Sequence, residues 1–277
     1  MEFDPRSSRY LIIKLRTTSP ENFSAIGEHL PLIYSHYQEN HKILSLSFVQ
    51  RDPGDLERLL KTFVSYFPKA DIIETSLSPS PTPLGYIKRF SERLVLHCPE
   101  NNEPSTEGCI VLRSSLSFGS GFHPTTEICM SLLEEAFSGK EIKRVFDLGT
   151  GSGILALAAS RLGARQLIAA DIDFQACVEA VDNVNSNGVR NLICVVNGTY
   201  SCGREASFDL LLANLTTSTI LTIGMHLPSL LKKGGLMILS GFTPEQCPEI
   251  EKALGSPRIL KKMTCEGWVG LLGVKEV

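Results

Sequence analysis

Residues 144–153 read Arg-Val-Phe-Asp-Leu-Gly-Thr-Gly-Ser-Gly. Val145 and Phe146 are typical of the end of a buried strand, and a helix-forming run, Ile154–Leu162, follows the last glycine. The three glycines permit positive φ and let the backbone approach a ligand closely, while the helix start offers unpaired N–H groups. The stretch predicts a nucleotide-binding corner of strand, turn and helix, although a plain tight connection would use the same glycines.

The glycine spacing and the next carboxylate indicate which class of ligand this corner binds. Gly149, Gly151 and Gly153 follow a Gly-x-Gly-x-Gly pattern, not the Gly-x-Gly-x-x-Gly pattern of dinucleotide-binding folds. The second strand, Gln166–Ala170, ends at Asp171, about 20 residues after the turn, where a carboxylate can bind two ribose hydroxyls. A ligand with a ribose and no pyrophosphate fits best. This favours S-adenosylmethionine over NAD, and the stretch resembles the class I methyltransferases.

Composition limits the class of protein. The chain has 277 residues, enough for two domains, with 43% hydrophobic and 21% charged residues, which is ordinary for a globular protein. Its net charge of −3 gives no global basic field, so we expect no direct binding of nucleic acid. The charged N-terminus and the lack of long apolar runs predict neither a signal peptide nor a membrane span.

The eight cysteines are scattered singly and form no Cys-x-x-Cys pair, so the sequence predicts no metal site and no thioredoxin chemistry. Most lie inside apolar runs, as buried reduced thiols do. Such cysteine usage favours a cytoplasmic location. The oligomeric state cannot be read from the sequence.

The first 77 residues predict a small α+β domain. Strands at 10–15, 31–37, 42–49 and 70–77 alternate with helices at 19–30 and 52–66, in the order βαββαβ. This order suggests a ferredoxin-like sandwich. The fold says little about function. We interpret it as a substrate-recognition domain, with a purely stabilising role as the alternative.

Residues 78–113 are predicted to join this domain to the rest. The alternating prolines of residues 78–83 favour an extended spacer. A short helix over Leu84–Glu92 and a strand pair at 93–97 and 109–112 are expected next. A shaped loop follows from 117, in which Thr125, Thr126 and Glu127 open a helix.

Two interpretations of that loop stay open. The threonines cap the helix, or the loop covers a ligand and turns the Thr126 hydroxyl toward it. His123 is a conceivable base, but a single histidine in a Gly/Pro loop is more often structural.

The most specific resemblance lies in this loop. Phe-Gly-Ser-Gly-Phe-His-Pro-Thr-Thr, residues 118–126, is similar to the Phe-Gly-Thr-Gly-Thr-His-Pro-Thr-Thr signature of the PrmA family, whose members methylate the large-subunit ribosomal protein L11. The similarity covers 114–274 and continues through these motifs: 147–156, 171–173, Asn183, 187–188, 213–215 and 266–268. It predicts an α/β, Rossmann-like class I methyltransferase domain over 114–277, preceded by the small N-terminal domain.

Asn214 completes the candidate site. The apolar run Leu210–Ala213 predicts a buried parallel strand, and Asn214 ends it at the edge where such sheets bind ligands. A plain helix cap is the alternative. The resemblance implies that Asn214 contacts the cofactor. The candidate cofactor-binding residues are Thr126, Gly149, Gly151, Asp171 and Asn214.

The resemblance implies methyl transfer from S-adenosylmethionine to lysine ε-amines and an N-terminal α-amine of a ribosomal protein. We name no catalytic residue, because no carboxylate or histidine stands out as a base and alignment of the reactants could suffice. Two alternatives remain: a methyltransferase with another protein or small-molecule acceptor, and a non-catalytic cofactor-binding scaffold. Phe122, and Arg113-Ser114-Ser115 in place of the family's Asp-Pro-Gly, depart from the family pattern.

Overall fold

The computed structural model describes residues 9–19, 32–38, 42–50, 55–78, 86–99, 108–113, 121, 123–255 and 257–276. The chain forms two compact units, residues 1–84 and residues 85–277. Residues 86–113 therefore belong to the unit that holds the glycine turn, while the functional division at 77 and 113 stays a prediction. Within the described ranges, no helix has both the length and the apolar character that a membrane crossing requires.

The first unit contains one four-stranded antiparallel sheet and one described helix. Its elements are β1 Arg9–Arg16, β2 Leu32–Gln38, β3 Ile43–Gln50, α1 Asp55–Tyr66 and β4 Asp71–Ser78. The strand order is β2-β3-β1-β4. Alternate residues of β1, such as Leu11 and Ile13, are fully buried with Phe48 of β3 and Phe63 of α1. These pairings suit a ferredoxin-like sandwich, but the predicted helix at 19–30 lies outside the described residues except for Ser19, so that layout stays a prediction.

A small three-stranded sheet opens the second unit. It consists of β5 Tyr86–Arg89, β6 Val95–Cys98 and β7 Ile110–Val111. The predicted helix over Leu84–Glu92 is therefore wrong. Lys88 and Phe90 are half-buried whereas Ile87 and Arg89 are exposed, which is the two-residue alternation of a strand. Lys88 forms an ion pair with Glu127, and Phe90 packs on the main core.

The main sheet has seven strands in the order β10-β9-β8-β11-β12-β14-β13. The strands are β8 Arg144–Leu148, β9 Gln166–Asp171, β10 Ile193–Asn197, β11 Phe208–Asn214, β12 Leu231–Phe242, β13 Arg258–Cys265 and β14 Trp268–Val274. The first five are parallel, and β14 runs antiparallel to β12 and β13. Strand order reverses between β8 and β11, which places a ligand crevice at their carboxyl ends.

Helices cover both faces of this sheet in two apolar clusters. They are α2 Pro124–Gly139, α3 Ile154–Leu162, α4 Phe174–Ser186, α5 Thr217–Ile223, α6 Leu227–Leu230 and α7 Cys247–Ala253. The Rossmann-like methyltransferase layout that the sequence predicts is confirmed for this unit.

The segment between β11 and β12 is helical, as the sequence predicts for residues 218–231. It consists of α5, a 3-10 turn at Gly224–His226 and α6, and β12 begins at Leu231. The ammonium of Lys232 lies 2.6 Å from the Asp209 carboxylate of neighbouring β11. This tertiary ion pair holds the lysine in the sheet, against the local preference for a basic helix end.

Two asparagines, Asn183 on helix α4 and Asn187 at its C-cap, connect β7 to the main sheet. Asn187 accepts a hydrogen bond from the Val111 N–H (2.9 Å) and donates one to the Val111 carbonyl (2.7 Å). Asn183, one turn earlier, accepts from the Arg113 N–H (3.0 Å) and donates to the Ser152 carbonyl (2.9 Å). One face of the helix therefore satisfies backbone groups that a sheet edge would otherwise leave unpaired.

We predict that Asn187→Ala lowers the free energy of unfolding of the second unit by about 2 kcal/mol, because the buried Val111 backbone loses both partners. Urea unfolding followed by fluorescence of Trp268, the one tryptophan of the chain, measures this unit selectively. Asn185→Ala, at an exposed position of the same helix, is the matched control and should change stability by less than about 0.5 kcal/mol. Equal effects of the two substitutions would contradict the role of Asn187.

Candidate functional site

The glycine turn after β8 is shaped by left-handed backbone conformations. Gly149, Gly151 and Gly153 have φ of 71°, 54° and 84°. The N–H groups of Gly149 and Thr150 donate to the Ala170 carbonyl at 2.8 and 3.1 Å, which ties the turn to β9. A Cβ at position 149 would lie 2.2 Å from Cδ2 of Leu215, so the turn needs glycine for space as well as for φ.

Asp171 stands beside this turn. One carboxylate oxygen accepts from the Gly151 N–H at 2.9 Å, and the other accepts from the Asp173 N–H at 3.0 Å. The carboxylate is half-buried, so it keeps one side open to solvent. The structure thus joins Gly151 and Asp171, which the sequence nominated separately, through a direct hydrogen bond.

The segment after β10 supports Asp171 from the other side. The Asn197 carboxamide donates to the carbonyls of Asp171 and Ile172, at 3.0 Å each. The Gly198 N–H also donates to the Asp171 carbonyl, at 2.8 Å. Ile172 is 79% exposed although it is apolar. Neither this support nor the exposed isoleucine was predicted from the sequence. The available signal was an apolar residue directly after the carboxylate that ends β9.

Asn214 lies half-buried at the carboxyl end of β11. The alternative that it caps the following helix is wrong, because α5 is capped by Thr216, whose hydroxyl accepts from the Thr219 N–H at 3.4 Å. Among the described residues, the Asn214 carboxamide therefore has no capping duty. Its position next to the turn after β8 follows from the pairing of Ala213 with Leu148.

Helix α2 begins with His123 as its cap. The His123 Nδ1 accepts from the Thr125 N–H (3.3 Å) and lies 2.7 Å from the Thr125 hydroxyl. The ring meets Trp268 edge-on, with centroids 5.1 Å apart, and burial lowers the pKa of His123. The cap of α2 is formed by the His123 ring, not by the threonines. Thr126 is left with a buried hydroxyl that has no hydrogen-bond partner among the described residues.

A buried carboxyl group completes the region. Asp147, at 1% exposure, accepts from the Thr150 hydroxyl (2.7 Å) and the Ala156 N–H (3.2 Å) through one oxygen. Its other oxygen has no partner within the described ranges. Burial raises the pKa of Asp147 to about 7, the hydrogen bonds from Thr150 and Ala156 oppose this rise, and the charge of Asp171 adds to it.

The start of α2 lies at the same edge of the sheet. His123 contacts Trp268, and the next residue, Val269, pairs with Phe242 at the carboxyl end of β12. Thr126, in the first turn of α2, is therefore near the edge at which Gly149, Asp171 and Asn214 lie. Most of the signature loop, residues 114–120 and Phe122, lies outside the described residues.

The polar groups at this edge are suited to bind a small organic ligand. The turn places backbone close to a ligand, Asp171 offers an acceptor for hydroxyl groups, and Thr126 offers a buried hydroxyl. Asn214 presents a carboxamide at the point where strand order reverses. Polar groups that converge on an apolar sheet edge are typical of a site for a small organic ligand.

We predict that Asp147 makes stability pH-dependent. Its pKa of about 7 in the folded chain exceeds the value of about 3.9 in the unfolded chain, so the folded form binds the proton more tightly. The resulting stability is complete below about pH 4 and is lost as pH rises toward 7. Compared with Asp147→Asn, which keeps an acceptor for Thr150 and Ala156, the wild type should lose on the order of 3 kcal/mol between pH 5 and pH 8.

Urea unfolding at several pH values measures this difference. Asp182→Asn, which removes an exposed carboxylate on α4, is the control and should track the wild type at every pH. If Asp147→Asn and the wild type show parallel pH profiles, Asp147 does not titrate in this range.

The chain is similar to known proteins of one family. The model of the family described as ribosomal protein L11 methyltransferase (PrmA) matches residues 87–276. The protein named ribosomal protein L11 methyltransferase from Desulforamulus reducens is 35% identical over 174 residues, 61% of this chain and 56% of the relative. The protein of the same name from Chromobacterium violaceum is 34% identical over 193 residues, 68% of this chain and 61% of the relative.

A solved structure is also similar. The crystal structure of a ribosomal protein L11 methylase from Lactobacillus delbrueckii subsp. bulgaricus has a TM-score of 0.60 and 34% identity, and the match covers 69% of this chain and 98% of that one. The chain spans less than two thirds of the length of the curated relatives above. The family model covers most of the chain, so the chain belongs to the PrmA family of ribosomal protein L11 methyltransferases.

Proposed function

We propose that the second unit binds S-adenosylmethionine at the carboxyl edge of its sheet and transfers the methyl group to amines of ribosomal protein L11. The observation that carries this proposal is the hydrogen bond from the Gly151 N–H to the Asp171 carboxylate. It holds a ribose-binding acceptor directly against a turn whose backbone can approach a ligand. The membership in the PrmA family supports the reaction and the acceptor.

The residues present fit this cofactor. The Thr126 hydroxyl is buried without a partner in the described part of the chain, and a polar ligand at the edge would satisfy it. Ile172, exposed beside Asp171, offers an apolar surface to a flat base next to the ribose. We therefore assign Thr126, Gly149, Gly151 and Asp171 to cofactor binding, together with Asn214 from β11.

When bound, the cofactor supplies a methyl group that is activated by its positive sulfur. The chain has to align a neutral amine with that methyl group and exclude water. A lysine amine, with a reference pKa of about 10.4, is mostly protonated at neutral pH and has to be desolvated or deprotonated. The Asn214 carboxamide oxygen can accept from the amine and orient its lone pair.

No catalytic base is assigned. Among the described groups at this edge, Asp147 is buried and bonded to Thr150, and the Asp171 carboxylate is held by backbone N–H groups. His123 is engaged as a helix cap. Because these three side chains are already hydrogen-bonded, we propose that catalysis relies on alignment and desolvation of the amine.

We propose that residues 1–77 form the substrate-recognition domain. The proposed partner is a ribosomal protein, and the proposed compartment is the cytoplasm. All eight cysteines are free thiols, which suits a reducing compartment.

We predict that Thr126→Val and Asp171→Asn weaken binding of S-adenosylhomocysteine in calorimetric titration of the full chain. Thr126→Val should cost about tenfold in Kd while leaving stability equal or higher, because it removes a buried hydroxyl without a partner. Asp171→Asn should cost roughly 10- to 100-fold through loss of a charged acceptor.

The exposed Asp182→Asn serves as the charge-matched control for Asp171→Asn and should bind like the wild type. A Thr126→Val variant that is folded and binds normally would remove Thr126 from the site. Wild-type affinity in Asp171→Asn would remove the ribose assignment.

We predict further that purified ribosomal protein L11, incubated with the chain and S-adenosylmethionine, gains mass in methyl-sized steps on lysine ε-amines and its N-terminal amine. Intact-mass and peptide mass spectrometry measure this, and Asp171→Asn provides the control with low turnover. Cofactor binding without methylation of L11 would refute the acceptor and leave the cofactor assignment standing.

A further inference from the structure

Asn183 is a fully buried polar side chain on helix α4. Most of the other buried positions of this helix are apolar, such as Ala176, Ala180 and Val184. A buried carboxamide destabilises a fold unless its donor and acceptor atoms are hydrogen-bonded. Packing alone would favour an apolar residue at position 183, so the reason for the asparagine has to lie in its contacts.

Both ends of the Asn183 carboxamide bind backbone groups of other segments. The Nδ2 atom donates to the Ser152 carbonyl at 2.9 Å, and the Oδ1 atom accepts from the Arg113 N–H at 3.0 Å. Ser152 lies inside the glycine turn, between Gly151 and Gly153, and Arg113 directly precedes the signature loop. Asn183 is therefore a direct link from α4 to the turn that forms the proposed cofactor site.

The part of the turn that Asn183 contacts has an unusually free backbone. Gly151 and Gly153, on either side of Ser152, have φ of 54° and 84°. Glycine loses more conformational freedom on folding than any other residue, so this part of the turn depends on hydrogen bonds to keep its shape. The Gly153 N–H donates to the Thr150 carbonyl at 2.9 Å, and the bond from Asn183 fixes the carbonyl of the same peptide group.

Helix α4 also packs directly against this peptide group. A Cβ on Gly153 would lie 3.5 Å from the Cα of Ala180, which lies one turn before Asn183 on the same face of the helix. The neighbouring Gly151 N–H donates to the Asp171 carboxylate. A change in the orientation of the peptide would therefore disturb the bond that holds the proposed ribose acceptor.

We propose that Asn183 is a positioning residue for cofactor binding, which holds the glycine turn in the conformation that presents Gly151 and Asp171 to the ligand. This inference rests on the proposed function, because the affinity that it concerns is the affinity for S-adenosylmethionine. Asn183 acts through the Ser152 carbonyl and does not touch the cofactor. Its loss should therefore weaken cofactor binding more than it changes the methyl-transfer step.

Asn187 provides the comparison with a purely structural role. Its side chain bonds to the N–H and the carbonyl of Val111 and donates to the backbone carbonyl of Asn183. Among the described residues, it forms no hydrogen bond with the glycine turn. Asn183→Ala and Asn187→Ala thus remove the same group from positions one turn apart, and each removes a bond to residues 111–113. Only Asn183→Ala also removes the bond to the turn.

The test is calorimetric titration of the full chain and of both variants with S-adenosylhomocysteine, at a temperature at which Trp268 fluorescence shows all three to be folded. Asn183→Ala should raise Kd by about five- to tenfold, because a turn that has lost a buried hydrogen bond has to be ordered by the ligand. Asn187→Ala should change Kd by less than about twofold, since it leaves the contacts of the turn in place. Asn183→Leu, which fills the space of the carboxamide, takes the place of Asn183→Ala if that variant is unfolded.

Two further measurements separate positioning from a general loss of stability. In methylation of L11, Asn183→Ala should raise KM for S-adenosylmethionine, while kcat at saturating cofactor stays within about twofold of the wild type. Hydrogen exchange of the free chain, followed by mass spectrometry, should be several-fold faster in peptides that span residues 148–153 in Asn183→Ala than in Asn187→Ala. The exchange measurement requires neither cofactor nor acceptor.

The outcomes that would overturn the proposal are distinct from those that test the proposed function. Equal losses of affinity in Asn183→Ala and Asn187→Ala, a lower kcat with unchanged KM, or unchanged exchange in the turn would each overturn it. Equal binding by the wild type and Asn183→Ala would overturn this proposal alone. No binding by the wild type would overturn the proposed function and this proposal together.

Discussion

The candidate site depends on the hydrogen bonds between the glycine turn and the end of β9. Gly149 and Thr150 donate to the Ala170 carbonyl, and Gly151 donates to the Asp171 carboxylate. These bonds form only because the glycines accept left-handed conformations. One short turn therefore begins helix α3, positions the Asp171 carboxylate and links the neighbouring strands β8 and β9.

Helix α4 extends this constraint to the approach of the signature loop. The buried Asn183 side chain donates to the Ser152 carbonyl in the turn and accepts from the Arg113 N–H ahead of the loop. A single carboxamide thus couples the turn to the chain that leads into the signature. One turn later, the Asn187 side chain forms hydrogen bonds with the N–H and the carbonyl of Val111. The geometry of the carboxyl edge therefore depends on three segments that are distant in sequence: the glycine turn, helix α4 and residues 111–113.

Local patterns sufficed to predict the parts of the fold that local physics decides. The glycine turn and the apolar strand at Leu210–Ala213 follow from backbone freedom and burial. Other positions are decided by tertiary contacts. Lys232 lies in β12, where its ammonium pairs with the Asp209 carboxylate of β11. Tyr86–Arg89 becomes a strand because β6 is available as a partner.

The candidate site was predictable to a similar degree, for the same reason. Residue type and spacing identified the carboxylate at 171, but the support that it receives from Asn197 requires two strands to be adjacent in space. The His123 cap was equally invisible, since ring orientation depends on Trp268 far along the chain.

The distribution of unsatisfied polar atoms separates what the fold needs from what the site needs. A buried hydroxyl away from the edge, that of Ser160 in the last turn of α3, donates to the Leu157 carbonyl. At the edge, the Thr126 hydroxyl and one Asp147 oxygen lack partners among the described residues. Leaving such groups buried destabilises a fold by about 1–3 kcal/mol each. A ligand at this edge that forms hydrogen bonds with these two atoms would remove that cost, which is what the proposed cofactor site requires.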